Sequence, residues 1–214
     1  IQLLNGVQYG LLLFLLSAGL TLVFGIMGII NIAHGSFYMV GAYLAWSLTG
    51  ALGSFWLALP VGIALSVLLG FALEWLVIQR LYARDHLYQV LATYGLILVF
   101  EELRSILWGD DVRGFNIPEA LNQSIQLSEA LSYPVYRLWI SGVCLLVAVL
   151  MYWVIQKTRL GMRIRAGATN RDMVQSLGID IRILYRLVFA AGIALAALAG
   201  MIAAPVSSVF PGMG

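Results

Sequence analysis

The sequence predicts an all-α polytopic membrane protein, and three observations lead to this fold class. Of the 214 residues, 62% are hydrophobic and only 10% are charged, whereas a soluble domain carries about 25% charged residues. The segment from Ile1 to Leu73 contains no Asp, Glu, Lys or Arg, although about 20 apolar residues already suffice to cross a bilayer. The apolar stretches are also longer than the roughly 10-residue alternating strands of a membrane β-barrel. The crossings are therefore predicted to be helices.

Six apolar stretches predict about six transmembrane helices in a single transmembrane domain that covers residues 1–214. They are residues 7–30, 36–47, 55–78, 88–108, 138–155 and 184–204. The second stretch is short, so it is either a half-helix or a span that extends through residue 52. Because the chain begins with Ile and stops just after a Pro-Gly pair, we expect it to be a fragment that is truncated at its C-terminus.

The charges between the stretches predict the orientation in the membrane. Residues 156–186 carry seven basic and two acidic residues, and residues 101–137 carry six acidic and three basic residues. An excess of basic residues is typical of cytoplasmic loops, and Arg80 with Arg84 indicates a second one. We therefore expect a cytoplasmic loop at about 156–186 and an outer loop at about 109–136. Counting back three spans from the cytoplasmic loop with Arg80 and Arg84 places the N-terminus outside. A re-entrant second segment would reverse that placement.

Polar residues interrupt the apolar sequence after the first stretch. Asn31, His34 and Tyr38 share one face of a helix by their spacing, and Gly35 follows His34 directly. Polar groups at membrane depth need partners, so this face should look into the bundle or into a water-filled path. Three interpretations stay open: a turn or a broken or re-entrant helix near residues 31–35, a hydrogen-bonded contact between helices, and direct contact with a substrate. All four residues are candidates for lining a translocation path.

The sequence contains no pattern that indicates catalysis or metal binding. His34 and Ser36 lie on different faces of a helix, and no nucleophile elbow surrounds the serine. The spacing of the two histidines, His34 and His86, matches no metal site, and no G-x-x-x-x-G-K-[ST] nucleotide loop occurs. We therefore predict no catalytic residue, no metal, no cofactor and no nucleic-acid partner. Any energy that the protein uses should therefore come from a partner or from an ion gradient.

The basic loop at residues 156–186 contains the pattern of a short capped helix. Thr169 and Asn170 can cap its start, and Asp172 lies in its first turn. The helix should run to about Leu177, and Gly178 can end it in a left-handed conformation. Met173, Val174 and Leu177 give this helix a short apolar edge, so it is interpreted as a docking element for another protein. The alternative is a solvated loop held near anionic lipid. The residues predicted to dock are Arg171, Asp172, Met173, Val174, Leu177 and Gly178.

Small residues recur at four-residue intervals in the last stretch, where they let another helix approach closely. They are Gly192, Ala196, Gly200 and Ala204. Among the charges close to the membrane, Glu74 is expected to reach the interface or to pair with Arg80. Glu101, Glu102 and Arg104 are expected to form an interfacial charge cluster.

Three long segments resemble the permease subunits of branched-chain amino-acid ABC transporters. They are GLTLVFGIMGIINIAHGSFYMVGAYLAW (19–46), LYARDHLYQVLATYGLILVFEELRSILWG (81–109) and TRLGMRIRAGATNRDMVQSLGIDIRILYRLVFAAGIALAALAG (158–200). The matches cover nearly the whole chain in the family's order. The resemblance implies a multi-pass subunit of a bacterial inner-membrane importer. It also implies that residues 31–35 form a break near the translocation path and that residues 171–178 insert into an ATPase.

The same resemblance implies a set of partners. These are two ATP-binding cassette subunits, a second permease subunit and a periplasmic substrate-binding protein, all working in membrane lipid. Branched-chain amino acids are the expected substrates, and a urea or short-amide ABC permease or an ion-coupled secondary transporter are the alternatives. An intramembrane enzyme would need paired catalytic groups at one depth, and the sequence shows none.

Overall fold

The computed structural model describes residues 2–82, 84–128 and 131–214, in which eight α-helices pack together. The helices are α1 (Gln2–Met27), α2 (His34–Leu52), α3 (Phe55–Leu76), α4 (His86–Trp108), α5 (Val135–Lys157), α6 (Arg159–Thr169), α7 (Arg171–Ser176) and α8 (Ile181–Ser207). Two 3-10 turns, Ile78–Leu81 and Glu119–Leu121, lie in the connections. One antiparallel pair of strands, β1 (Ser124–Ser128) and β2 (Leu131–Pro134), also lies in these connections and is called the hairpin.

The predicted class of helical membrane protein is confirmed. Within the described residues, α1, α3, α5 and α8 are long and apolar enough to cross a membrane. Helices α2 and α4 cover the second and fourth predicted stretches but contain more polar residues. Among the described residues, the departure from an all-α fold is the small hairpin, which lies in the predicted outer loop.

Helix α8 forms the centre of the molecule, because most of its side chains are buried and α1, α2 and α3 pack around it. Close approach of these helices depends on glycine. A Cβ atom at Gly200 would overlap the carbonyl oxygen of Tyr38 in α2, and one at Gly192 would lie 2.6 Å from Val23 Cγ2 in α1. Ala196, between the two glycines in sequence, is fully buried. The predicted stripe of small residues therefore faces α1 and α2.

The start of α1 lies at the same end of the molecule as the acidic loop. Arg137 Nη1, near the start of α5, donates a hydrogen bond to Asn5 Oδ1 over 2.8 Å. The Tyr136 hydroxyl donates to the carbonyl oxygen of Ile202, near the end of α8, over 2.9 Å. This end, which carries residues 109–128 and 131–134, is called the loop end. The opposite end, which carries α6 and α7, is called the α7 end.

Candidate functional site

The chain is broken between α1 and α2 inside the bundle. Helix α1 ends at Met27, and Gly28 follows with a φ of +65°, in the left-handed region that favours glycine. Residues 28–33 are not helical, and α2 begins at His34. His34 Nε2 lies 3.1 Å from the carbonyl oxygen of Leu16, which is close to the middle of α1. The non-helical segment therefore runs back along α1, and α2 starts at mid-height.

The geometry combines two of the interpretations that the sequence left open. The segment is a break in the helical structure, and His34 also makes a contact between helices. Non-helical backbone at membrane depth is tolerated where it is buried in protein or lines a cavity. Gln89 of α4 supports the break, because its Oε1 accepts a hydrogen bond from the backbone N–H of Ile30 over 3.4 Å. Gln89, which is buried, was not among the predicted residues, although an amide side chain within the fourth apolar stretch was a usable signal.

A groove of about 670 Å³ lies against the break. It brings together three of the four predicted path residues, Asn31, His34 and Gly35, and places them opposite the second half of α1. The groove is lined by Leu16, Ser17, Leu20, Thr21, Phe24, Ile30, Asn31, Ile32, His34 and Gly35. Within the described part of the chain, no three His, Cys, Asp or Glu side chains meet as metal ligands. The polar chemistry of the groove is therefore that of hydrogen bonds.

Two polar atoms beside the groove are buried without a hydrogen-bond partner among the described residues: Asn31 Nδ2 and His34 Nδ1. Asn31 Oδ1 accepts from the backbone N–H of Ala33 over 3.1 Å, so the amide holds a turn with one atom and leaves its donor free. Because His34 Nε2 faces a carbonyl oxygen, it carries the proton, and Nδ1 is then a free acceptor. A buried polar group without a partner costs about 1–3 kcal/mol. An unpaired donor and an unpaired acceptor are thus left on two residues that line the groove.

Gly35 and Tyr38 have different surroundings. A Cβ atom at Gly35 would lie 2.7 Å from the carbonyl carbon of Gly214, so the glycine permits the end of the chain to pack against α2. Tyr38 does not line the groove. It lies beside a second cavity of about 270 Å³ at the loop end, which Gln8 and Ser207 also line. The structure thus separates Tyr38 from the other three predicted path residues.

The predicted capped helix in the basic loop is α7. Asn170, rather than Thr169, caps it, because Asn170 Oδ1 accepts from the backbone N–H of Met173 over 3.0 Å. Gly178 has a φ of +80°, and its N–H donates to the carbonyl oxygen of Gln175 over 2.9 Å. The helix ends at Ser176, one residue before the predicted end. A separate helix, α6, precedes it, which the sequence did not predict.

The apolar edge of α7 is divided between the protein and its surroundings. Val174 is 3% exposed and belongs to the main hydrophobic core, whereas Met173 is 62% exposed and Leu177 is 70% exposed. Val174 therefore anchors the helix, and the other two side chains are available to a partner. The side chains of Arg171 and Asp172, which were also predicted to dock, lie outside the described residues.

The expectation for Glu74 is wrong. The carboxylate is fully buried, and its Oε2 accepts from Arg186 Nε of α8 over 2.8 Å, so it neither reaches the interface nor pairs with Arg80. At the loop end, Arg104 forms ion pairs with Glu101 (3.3 Å) and with Asp110 (2.9 Å). The hydrogen bond from this arginine lowers the pKa of Asp110. The expected interfacial cluster therefore includes an aspartate of the outer loop.

The fold and the groove define a polytopic helical membrane protein with a polar site at membrane depth, an arrangement that many transporters share. The chain belongs to the family described as branched-chain amino acid transport system / permease component, whose model matches residues 2–214. The resemblance that the sequence predicted is thereby confirmed.

Individual relatives agree with the family match. The chain is 27% identical to the high-affinity branched-chain amino acid transport system permease protein LivH of Salmonella typhimurium, over 94% of this chain and 69% of that protein. It is 29% identical to the permease protein BraD of Pseudomonas aeruginosa over the same shares. A probable LivH permease of Methanocaldococcus jannaschii is 27% identical over 83% of this chain and 57% of that protein. No solved structure matches the chain.

Proposed function

We propose that this chain is a membrane subunit of an ATP-driven importer and that it moves branched-chain amino acids through a path beside the α1–α2 break. The single observation that carries this proposal is the pair of partnerless polar atoms, Asn31 Nδ2 and His34 Nδ1, beside a mostly apolar groove to which Ser17 and Thr21 add hydroxyl groups. A zwitterionic amino acid offers an acceptor carboxylate and a donor ammonium group, which match the free donor and the free acceptor. Apolar groove residues such as Leu20 and Phe24 suit an aliphatic side chain.

The proposed topology has six crossings of a bacterial inner membrane. Helix α2, together with the non-helical residues 28–33, makes the second crossing, and α4 makes the fourth. The loop end faces outside and the α7 end faces the cytoplasm, in agreement with the basic residues of α6 and of the segment that leads into α8. This orientation places the N-terminus outside.

The proposed partner on the cytoplasmic side is an ATP-binding cassette subunit. It would contact the exposed side chains of Met173, on α7, and of Leu177, which directly follows α7. Exposed apolar side chains at a capped helix suit docking in a groove of another protein. Arg171 and Asp172 are proposed to take part. The alternative energy source, an ion gradient, would leave these side chains without a role.

A second permease subunit is proposed to close the groove. The groove opens on a face where Leu20, Phe24 and Ile32 are exposed by 39%, 52% and 42%. A path between two subunits would bury these side chains while leaving the polar atoms beside the substrate. A periplasmic substrate-binding protein would deliver the substrate to the loop end, and membrane lipid would surround the remaining helices.

Reconstitution of the chain with its ATP-binding subunits, second permease subunit and binding protein in liposomes tests this proposal. We expect uptake of radiolabelled leucine, isoleucine and valine only when ATP is present on the cytoplasmic side. Uptake of urea or acetamide instead would replace the substrate assignment. Leucine uptake that is driven by a proton or sodium gradient without ATP would overturn the assignment to an ATP-driven importer.

A further inference from the structure

A polar link that is buried at Glu74 and half-buried at Arg186 joins α3 to α8 at the α7 end. Glu74 of α3 has no exposed surface, and one of its oxygens accepts from Arg186 Nε over 2.8 Å. Its other oxygen accepts from the hydroxyl of Tyr82, in the connection between α3 and α4. Arg186 Nη2 in turn donates to Gln79 Oε1 over 3.3 Å. Burial, and then the hydrogen bond to Glu74, raises the pKa of Tyr82, so the hydroxyl keeps the proton that it donates.

The link lies a short distance along the chain from α7. After Gly178 ends α7, Asp180 caps α8 by accepting from the backbone N–H of Arg182 over 2.8 Å, and Arg186 follows one turn later. Val174 anchors α7 in the same hydrophobic core as the first buried residues of α8. Helix α7 also packs against α6, but the chain leads from α7 directly into α8, so a displacement of α7 is passed to the part of α8 whose Arg186 pairs with Glu74.

The packing of α8 is unequal on its two sides at this level. Towards α3 it is tight, because a Cβ atom at Gly70 would lie 2.7 Å from Cα of Ala190. Towards α5 an apolar groove of about 410 Å³ intervenes, with Met151 and Val154 on one wall and Ala191 on the other. Towards the loop end the two helices come together, where the Tyr136 hydroxyl of α5 donates to the Ile202 carbonyl oxygen of α8 and Ile140 and Cys144 belong to the same buried cluster as Ala199. Near α7, the polar link and the close contact thus favour movement of α8 together with α3 rather than with α5.

We propose that Glu74 and Arg186 are positioning residues for energy coupling: their ion pair makes α3 move with α8 when a partner displaces α7. This inference rests on the proposed function, because it needs a partner that uses ATP. A buried ion pair is weak evidence for stability, since apolar residues of similar volume often replace one at little cost. The pair is therefore assigned to transmission of movement, in which α8, packed against the helices α1 and α2 that line the groove, moves together with α3 while α5 stays behind.

The double variant Glu74→Met with Arg186→Met tests the link without leaving an unpaired buried charge. In liposomes that contain the complete transporter, we expect ATP hydrolysis to continue while the amount of substrate imported per ATP falls about tenfold, the size of a typical coupling between sites. The matched control is Glu102→Met with Arg182→Met, which removes the same two charges from exposed positions on α4 and α8. The control should import the wild-type amount per ATP. Wild-type import per ATP in the Glu74–Arg186 variant would overturn the proposal.

A distance measurement tests the link in a chain that keeps both residues. Spin labels are placed at the exposed positions Leu76 on α3, Ile183 on α8 and Trp153 on α5, in a Cys144→Ala background. They report the distance between α3 and α8 (76–183) and the distance between α5 and α8 (153–183). On addition of ATP we expect the 76–183 distance to stay constant and the 153–183 distance to change. A change in the 76–183 distance, or no change in either, would overturn the proposal. Failure of the proposed function is a separate result, because the wild-type transporter would then show no ATP-dependent import.

Discussion

Gly28 and Gly178 are two of the glycines that end a helix with a positive φ, and the segments around them differ in their surroundings. Gly28 ends α1 with a φ of +65° and leads into residues 28–33 inside the bundle. Gly178 ends the short helix α7 with a φ of +80° at the surface of the α7 end. The local backbone chemistry is similar in both, because glycine has no Cβ penalty in this region.

The surroundings give the two segments different chemistry. The break after Gly28 leaves two buried polar atoms without partners, whereas the segment before Gly178 leaves two apolar side chains exposed. Unpartnered polar atoms suit a small ligand with hydrogen-bonding groups, and exposed apolar side chains suit the surface of a protein. A backbone pattern alone therefore does not determine a role. Substitutions within each segment separate the two roles.

The largest effect is expected from the double variant Met173→Asp with Leu177→Asp, which changes one residue of α7 and the residue that directly follows it. Two carboxylates in place of exposed apolar side chains should prevent docking of the ATP-binding subunit and abolish ATP-driven uptake, because burying a charge without a partner is strongly unfavourable. Co-purification of the ATP-binding subunit and uptake into liposomes measure the result. Gln175→Asp, on the same helix and also exposed, is the control and should keep both activities. Retained co-purification in the double variant would mean that the partner binds elsewhere.

A smaller but clear effect is expected from Gly178→Val. A Cβ atom there meets nothing within 4 Å, so the cost comes from the left-handed backbone, about 1–2 kcal/mol for an L-residue and more for a β-branched one. Displacement of α7 should lower uptake strongly without abolishing it, while the protein stays in the membrane at its normal amount. Gly178→Asn is the control, because asparagine tolerates this conformation, and it should keep most of the uptake. Normal uptake by the valine variant would remove the coupling role from this turn.

The smallest of the three effects is expected from His34→Ala in the buried break. Loss of a free acceptor worth about 1–2 kcal/mol should lower uptake roughly tenfold, while co-purification with the ATP-binding subunit is unchanged. His34→Gln, which retains a donor and an acceptor, should recover part of the uptake. If the alanine variant instead loses the ATP-binding subunit or disappears from the membrane, the histidine supports the fold and not the substrate.

Much of α7 could be predicted because its signals are local. The cap at Asn170 and the stop at Gly178 act over a few residues, so the sequence located the helix to within one residue of its end. The direction of its side chains could not be predicted in the same way. Val174 is buried because the start of α8 packs against it, and the sequence assigned it to the same edge as Met173 and Leu177.

The buried break was predicted only in part, for a related reason. The polar residues and glycines around Asn31 and His34 indicated an interruption, but the depth of His34 depends on a contact with Leu16, 18 residues away. Support from Gln89 comes from 59 residues away. No local pattern predicts such partners, because they depend on how whole helices pack.

The sequence by itself determined the membrane class, the positions of the long helices, the family and the glycine stop at Gly178, because hydrophobicity, charge distribution and backbone preference act over short ranges. The tertiary structure decided which polar atoms are left free and which charges pair. Glu74 illustrates the difference: the nearest arginine in sequence, Arg80, suggested one partner, and helix packing provided Arg186, 112 residues away. A carboxylate that is removed from water must pair with whichever cation the surrounding helices bring to it.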